Sequence, residues 1–320
     1  MNPQVVTRSR VRPLAEMVDG ICRKNTLAHR FGGPVLMRMK TMLVAGLTAV
    51  AAVVSSTWLV VGNSPDASAA AAGLWKIDCK FSHSLPDDPI VHPGRPGASH
   101  LHDFFGNVGT NAKSTYESLN GVTSTCAGGD RAAYWIPALY QNGRKIDPDG
   151  GIIYYTTSAG DPRKQVSYPP GMKMIIGNPN AKSQAEQGGR IEWGCSGNTQ
   201  IGNTIPKNCA TGMIQLRMRF PACWNGKNTT GDASANVRYP AGGKCPVGFP
   251  IAMPTMRFNT AYKVGRTTGN ITLSSGAPHT VHADFFNAWD QRSLDGLIKK
   301  CFHGQQNCGR IKGISPGRNP

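Results

Sequence analysis

The sequence predicts an all-β domain, a β-sandwich or jelly-roll-like fold with many loops. Glycine (38 residues) and proline (23 residues) recur along the 320-residue chain and leave only short segments between them. Residues 214–220, Ile-Gln-Leu-Arg-Met-Arg-Phe, alternate apolar and polar side chains, which is typical of an antiparallel strand with one buried face. No long apolar pattern with the helical period appears. Many short strands separated by turns indicate a sandwich or barrel architecture.

The predicted elements follow from β-type runs bounded by turn residues. We expect strands at residues 132–140, 152–157, 172–176, 214–220, 256–258 and 270–273. One short C-terminal helix is predicted at residues 293–300, with Asp290 or Ser293 as its N-cap and Lys299 and Lys300 in its last turn. No Pro-rich or Ser-rich linker interrupts residues 70–320, so we expect a single domain there.

The first 69 residues resemble a secretory signal and are excluded from the predicted domain. A basic segment precedes residues 42–61, an apolar stretch without charge, and Ala67-Ser68-Ala69 fits an A-x-A cleavage site. The apolar stretch is also long enough to be an uncleaved N-terminal anchor. We therefore expect residues 70–320 to be a secreted, extracellular domain, with membrane attachment only if the N-terminal segment is retained.

Cysteine usage agrees with export. Of nine cysteines, Cys22 precedes the apolar stretch and eight follow it, an even number that predicts four disulfides. A zinc–cysteine site is the alternative, although the chain has no C-x-x-C motif. Pairing between sequence neighbours predicts Cys79–Cys126, Cys195–Cys209, Cys223–Cys245 and Cys301–Cys308.

The charge balance favours an anionic partner. The formal net charge is +17; residues 1–69 carry eight basic and three acidic side chains, which leaves +12 for the rest. Acidic cell-wall polymers or acidic polysaccharides suit such a surface. The basic residues are scattered and not clustered with aromatics, so we expect no nucleic-acid partner. We expect a monomer.

Two short histidine patches predict a site assembled from distant parts of the chain. Residues 99–106 read Ser-His-Leu-His-Asp-Phe-Phe-Gly, and residues 281–286 read Val-His-Ala-Asp-Phe-Phe. If both are extended, His100 and His102 share one face, and His282 and Asp284 share one face. The same alternation turns Asp103 away from the two histidines.

These residue types suit either metal binding or proton transfer. His100, His102 and His282 are candidate ligands of a divalent metal ion. Without a metal, His102 and His282 would be acid–base groups and Asp284 an orienting carboxylate, with His100 as a substrate contact. The simpler alternative is that these histidines only hydrogen-bond backbone carbonyls near a loop.

Further residues are predicted to contact substrate. Arg95, in an irregular Pro/Gly-rich loop, would meet an anionic group. Tyr154 and Trp289 would stack on sugar rings, and Asp103 neighbours the histidines. No G-x-S-x-G nucleophile motif and no phosphate-binding glycine pattern occurs.

Four motifs together resemble a known family. They are Ser-His-Leu-His (99–102), Ala-Tyr-Trp-Ile-Pro-Ala-Leu-Tyr (133–140), Phe-Pro-Ala-Cys-Trp-Asn-Gly-Lys-Asn (220–228) and His-Ala-Asp-Phe-Phe-Asn-Ala-Trp (282–289). The chain is similar to a secreted domain family of unknown function from actinobacteria and filamentous fungi, whose fungal members often carry a WSC carbohydrate-binding domain. The resemblance implies a site at His100, His102, His282 and Asp284, and extracellular work on polysaccharide.

The expected function is therefore a secreted carbohydrate-active enzyme that cleaves a glycosidic bond, as a glycoside hydrolase or polysaccharide lyase would. Two alternatives remain open. One is a non-catalytic module that binds glycan or cell wall, and the other is a disulfide-braced metal-binding protein.

Overall fold

A computed structural model of the protein describes residues 73–197, 201–229 and 235–313, all of which belong to one compact unit. The predicted signal segment lies outside the described residues. No helix in the described part of the chain has the length and apolar character needed to span a bilayer.

Strands make up most of the regular structure, as predicted. The first nine are β1 (Leu74–Cys79), β2 (Phe81–Leu85), β3 (His102–Gly106), β4 (Ala133–Pro137), β5 (Leu139–Gln141), β6 (Arg144–Ile146), β7 (Gly151–Thr156), β8 (Lys173–Gly177) and β9 (Ile191–Cys195). The second nine are β10 (Ile201–Gly202), β11 (Met213–Arg219), β12 (Cys223–Trp224), β13 (Val237–Arg238), β14 (Ile251–Ala252), β15 (Thr255–Lys263), β16 (Ile271–Leu273), β17 (His282–Phe286) and β18 (Asn307–Arg310).

Helices are few and short. Helix α1 (Tyr116–Asn120) was not predicted from sequence, and α2 (Gln291–Leu297) begins two residues earlier than expected, with Asp290 as its N-cap. A π-helical segment, Ile298–His303, continues α2. Three 3-10 turns lie at Pro162–Lys164, Gln184–Gln187 and Pro278–Thr280.

Two large sheets form a sandwich. The seven-stranded sheet has the order β10-β9-β11-β15-β7-β1-β18, and the five-stranded sheet has the order β2-β3-β4-β17-β8. Aromatic side chains join them: the ring centroids of Phe105 and Phe258 lie 4.9 Å apart, and the hydroxyls of Tyr134 and Tyr155 lie 2.9 Å apart. Strand β11 alternates half-buried and buried residues, as its sequence predicted. The all-β sandwich prediction is confirmed.

The five-stranded sheet differs from its partner because both of its faces are covered. Every residue of β3, β4 and β17 is buried. One face packs on the main core. The other carries a small second core around Phe104, Trp135 and Phe286, and the candidate site lies on that face.

All four predicted disulfides are present, between the expected sequence neighbours. Since disulfides persist in oxidising compartments, they fit an extracellular protein.

Candidate metal centre

Sheet register brings the two histidine patches together. Strand β4 lies between β3 and β17; His102 pairs with Pro137, and Asp284 pairs with Trp135 two residues earlier on β4. Strands two positions apart are separated by about 9.6 Å, so side chains on one face can meet across the intervening strand. His102, His282 and Asp284 therefore share the face that carries the second core.

Three imidazoles converge on one point. The Nε2 atom of His282 lies 3.2 Å from Nε2 of His100 and 3.3 Å from Nε2 of His102. His102 and His282 are buried, whereas His100, which precedes β3, is half-buried and forms the side nearest solvent. One nitrogen from each ring lies within 4.8 Å of the other two.

Hydrogen bonds at Nδ1 determine the tautomers of His102 and His282. His102 Nδ1 lies 2.9 Å from the carbonyl oxygen of Asp87, and His282 Nδ1 lies 3.0 Å from that of Thr280. A carbonyl oxygen only accepts, so each Nδ1 carries the proton and donates it. In a neutral ring Nε2 then has only a lone pair. The 3.3 Å contact between His102 and His282 therefore joins two acceptors and no hydrogen atom.

Protonation at Nε2 would relieve this contact, but burial opposes it. Burial, and after it the neighbouring His100, lowers the pKa of His102 to about 3. Burial likewise lowers the pKa of His282 to about 3, with His102 as the next cause. Both rings are neutral at pH 7.

A carboxylate pair adjoins the histidines. An oxygen of Asp88, an oxygen of Asp284 and a ring nitrogen of His102 lie within 4.8 Å of one another. Asp284 is fully buried, and neither of its carboxylate oxygens has a hydrogen-bond partner among the described residues. Burial, and then the negative charge of Asp88, raises the pKa of Asp284 well above its usual range. Asp284 therefore binds a proton more readily than an exposed aspartate does, and its buried oxygens lie beside the ring nitrogen of His102.

A loop over the sheet, residues 86–101, completes the centre. The Asp87 carboxylate accepts from the amides of Gly97 and Ala112 at 2.8 and 2.9 Å, which fixes the loop that places its carbonyl on His102. Asp88 Oδ1 accepts from the amides of Ile90 and Val91, both at 2.8 Å, which leaves its second oxygen for the cluster. Neither aspartate was a sequence candidate.

Three of the predicted substrate contacts lie elsewhere. Asp103 faces the opposite side of β3, where its Oδ1 accepts from Ser84 at 2.6 Å and pairs with Lys145 at 3.0 Å. Trp289 is buried, and its Nε1 donates to Tyr155 at 3.2 Å. Tyr154 lies on the seven-stranded sheet, where Lys76 and Arg257 both contact its ring.

The fourth predicted contact, Arg95, is exposed on the loop over the sheet. Its amide donates to the carbonyl of His92 at 3.1 Å.

Another cluster of ligand-type residues, Cys79, Cys126 and Asp130, is not available to a metal because its two sulfurs form a disulfide.

Fold and site thus define a disulfide-braced β-sandwich with a largely buried three-histidine cluster. The chain belongs to the family described as domain of unknown function DUF1996, whose model matches residues 88–289. The matched region begins at Asp88 and includes every residue of the cluster. No curated protein and no solved structure matches the chain significantly.

Proposed function

We propose that this protein is a secreted metalloprotein that binds one divalent transition-metal ion through His100, His102 and His282. The observation that carries the proposal is the 3.3 Å contact between the Nε2 lone pairs of His102 and His282. A cation between the two atoms turns this repulsive contact into two favourable bonds.

The spacing suits such an ion. Metal–imidazole bonds of about 2.0–2.1 Å at tetrahedral angles place ligand nitrogens about 3.3 Å apart. The Nε2 separations of 3.2 and 3.3 Å agree with this value. The Nδ1 bonds to backbone carbonyls are the outer contacts that orient metal-ligating histidines in known sites.

The donor set indicates which ions fit. Imidazole nitrogens select zinc, copper, iron or nickel over calcium and magnesium. Asp284 would add an oxygen ligand or balance the charge of the ion, since both of its oxygens lack hydrogen-bond partners among the residues described. An ion held here would supply Lewis-acid chemistry on the side of half-buried His100.

Metal content provides the direct test. The mature protein would be stripped with a chelator, titrated with Zn²⁺ and Cu²⁺ by calorimetry, and analysed by mass spectrometry after dialysis. We expect one equivalent of metal in the wild type and none in a His102→Ala/His282→Ala double variant. His279→Ala, a nearby histidine outside the cluster, should retain the metal. Failure of the wild type to bind any of these ions would contradict the proposal.

Polysaccharide cleavage is the second candidate function, supported by a cleft on the same sheet face. A cavity of about 700 Å³ is lined in part by Tyr116, Lys173 and Phe286, within the range of small-molecule sites. Phe286 lies two residues beyond Asp284 on β17, about 7 Å along the strand. Lys173 Nζ lies 3.3 Å from the carbonyl oxygen of Pro89, on the loop that carries Asp88.

A purely carboxylate mechanism is less well supported. Asp88 and Asp284 are both buried, and one oxygen of Asp88 is already held by two amides. A sugar ring cannot enter between them, as a glycosidase pair would require. Cleavage would therefore depend on the histidine centre.

A panel of neutral and acidic polysaccharides tests this second function. An enzyme should generate new chain ends, and the double histidine variant should lose at least about 100-fold of that activity. Pull-down on insoluble polysaccharide without new ends, unaffected by the histidine changes, would instead indicate a glycan-binding module.

A further inference from the structure

A second concave site lies on the seven-stranded sheet, away from the histidine cluster. A cavity of about 310 Å³ is lined by three arginines, Arg190, Arg219 and Arg257, together with Tyr239. Arg219 and Arg257 face each other across the β11–β15 pair. We refer to this cavity as the arginine pocket.

The charges of the three guanidinium groups are not paired: among the residues that the structure describes, none of them takes part in an ion pair. Arg257 is half-buried, and its Nε is buried without a hydrogen-bond partner in the part of the chain that the structure describes. Like charges gathered around one cavity repel one another unless an anion lies between them.

The pKa of Arg257 reflects burial and the positive charges around it. Burial lowers the pKa of its guanidinium. The positive charges of Arg217 and Arg219 lower that pKa further, while Tyr154 and Glu192 act in the opposite direction. Glu192 is the only carboxylate among these influences, so cations dominate the site.

Aromatic rings hold the arginines in place. The guanidinium carbon of Arg190 lies 4.1 Å from the ring centroid of Tyr239, and that of Arg257 lies 4.8 Å from the centroid of Tyr154. Tyr239 is itself fixed, because its hydroxyl donates to the carbonyl of Arg219 at 2.8 Å. Stacking leaves the N–H edges of a guanidinium free, and these edges match the oxygens of carboxylate, sulfate and phosphate.

Hydroxyl groups complete the lining. Thr156, Ser158 and Thr255 lie along the cavity, and hydroxyls both donate and accept. A site with fixed cations, hydroxyls and a volume at the lower end of small-molecule pockets suits one charged unit.

We propose that the arginine pocket binds an oxyanionic group, as the anchoring site for one charged unit of an extracellular polyanion. The shared chemistry is a carboxylate, sulfate or phosphate held by two or three guanidinium groups. This inference does not depend on the metal centre, which lies on the other sheet.

Calorimetric titration of the full mature protein with inorganic phosphate, inorganic sulfate and glucuronate, at low ionic strength, tests the proposal. We expect saturable binding of at least one probe. Arg190→Gln and Arg257→Gln should each weaken binding about tenfold or more, since a hydrogen bond to a charged group contributes about 1.5–3 kcal/mol. Arg144→Gln, an exposed strand arginine outside the pocket, is the matched control and should bind as the wild type does.

The outcomes separate the sources of the anion. Tighter binding of phosphate or sulfate than of glucuronate assigns the pocket to a tetrahedral anion, and the reverse order assigns it to an acidic sugar. Arg219→Gln is the pocket variant that we expect to fold normally, because Arg219 is exposed and its side chain can be removed with little effect on packing. Absence of binding to all three probes, or equal affinity in the wild type and all three pocket variants, would overturn the proposal.

Discussion

The Nε2 atoms of His102 and His282 lie 3.3 Å apart on nearly perpendicular rings, while each Nδ1 donates to a carbonyl from a different segment. The loop over the five-stranded sheet orients one ring, and the turn before β17 orients the other. Chain segments 180 residues apart are thus fixed in a geometry that is unfavourable for a protein without a cation. Backbone hydrogen bonds on both sides thus hold the two Nε2 atoms close together at the candidate site.

Replacing Asp284 by Asn should change stability in opposite directions with and without metal. In the metal-free protein, burial and the charge of Asp88 raise the pKa of Asp284, so at pH 7 folding must either bind a proton or bury a charge. Asn requires neither, so the free energy of unfolding should rise. In the metal-loaded protein the same change removes a ligand or charge-balancing group, so the free energy should fall. Chemical denaturation with chelator and with saturating Zn²⁺ measures both signs.

The matched control for this experiment is Asp149→Asn, because Asp149 is an exposed carboxylate between β6 and β7, outside the histidine cluster. It should shift both unfolding curves by the same small amount. If metal raises the free energy of unfolding of Asp284→Asn as much as that of the wild type, Asp284 is not part of the metal centre.

Asp87 should act on the metal centre without touching the ion. Asp87→Ala removes the acceptor for two loop amides and so loosens the carbonyl that orients His102. We expect metal affinity to fall about 10–100-fold, the usual effect of losing an outer contact. Competition with a chromogenic chelator measures the affinity. Asp161→Ala, which removes a similar amide contact from a remote turn, should leave the affinity unchanged.

The part of the candidate site that lies on strands was predictable from the alternation of side chains in the sequence. Alternation along extended segments placed His282 and Asp284 on one face and turned Asp103 away, because side-chain direction in a strand depends only on position. Asp87 and Asp88 lie in an irregular loop, where no period indicates which side chain turns inward. Trp289 shows the same limit, since sequence adjacency to the second patch does not reveal that its ring belongs to the core.

The arginine pocket could not be recognised from sequence for a different reason. Its three cations come from a turn, the end of β11 and the start of β15, so no basic cluster appears along the chain. Sequence alone does not fix the pairing of eight cysteines, and the expected neighbour pairing is confirmed because all four disulfides connect consecutive cysteines. The strand boundaries were predicted less accurately. The predicted strand at 132–140 is divided at Ala138 between β4 and β5.

Loss of individual disulfides should follow the length of chain that each closes. Cys79–Cys126 spans 47 residues and Cys301–Cys308 spans 7. Loop entropy gives about 4 kcal/mol for the first and about 2.5 kcal/mol for the second. Paired Cys→Ala variants, unfolded in guanidinium, should therefore rank with the Cys79/Cys126 variant as the less stable. The opposite ranking would show that local packing outweighs chain entropy at these bridges.

Asp130 should make stability fall as pH rises from 4 to 8. Its carboxylate is fully buried, where Oδ2 accepts from the Tyr134 hydroxyl at 2.6 Å and Oδ1 accepts from the Ala132 amide at 2.7 Å. Burial raises the pKa of Asp130 to about 7, although both hydrogen bonds act to lower it. The pKa in the unfolded chain is about 3.9.

Because the folded pKa is the higher one, the folded protein binds the proton more tightly. The resulting stabilisation is complete below pH 4 and disappears as pH passes 7, a change of about 4 kcal/mol at most. Asp130→Asn keeps the shape of the side chain without titrating. The unfolding free energy of the wild type minus that of the variant should therefore fall by this amount as pH rises from 4 to 8. Denaturant unfolding at several pH values measures it. A difference that is constant with pH would show that Asp130 keeps its ordinary pKa in the folded protein.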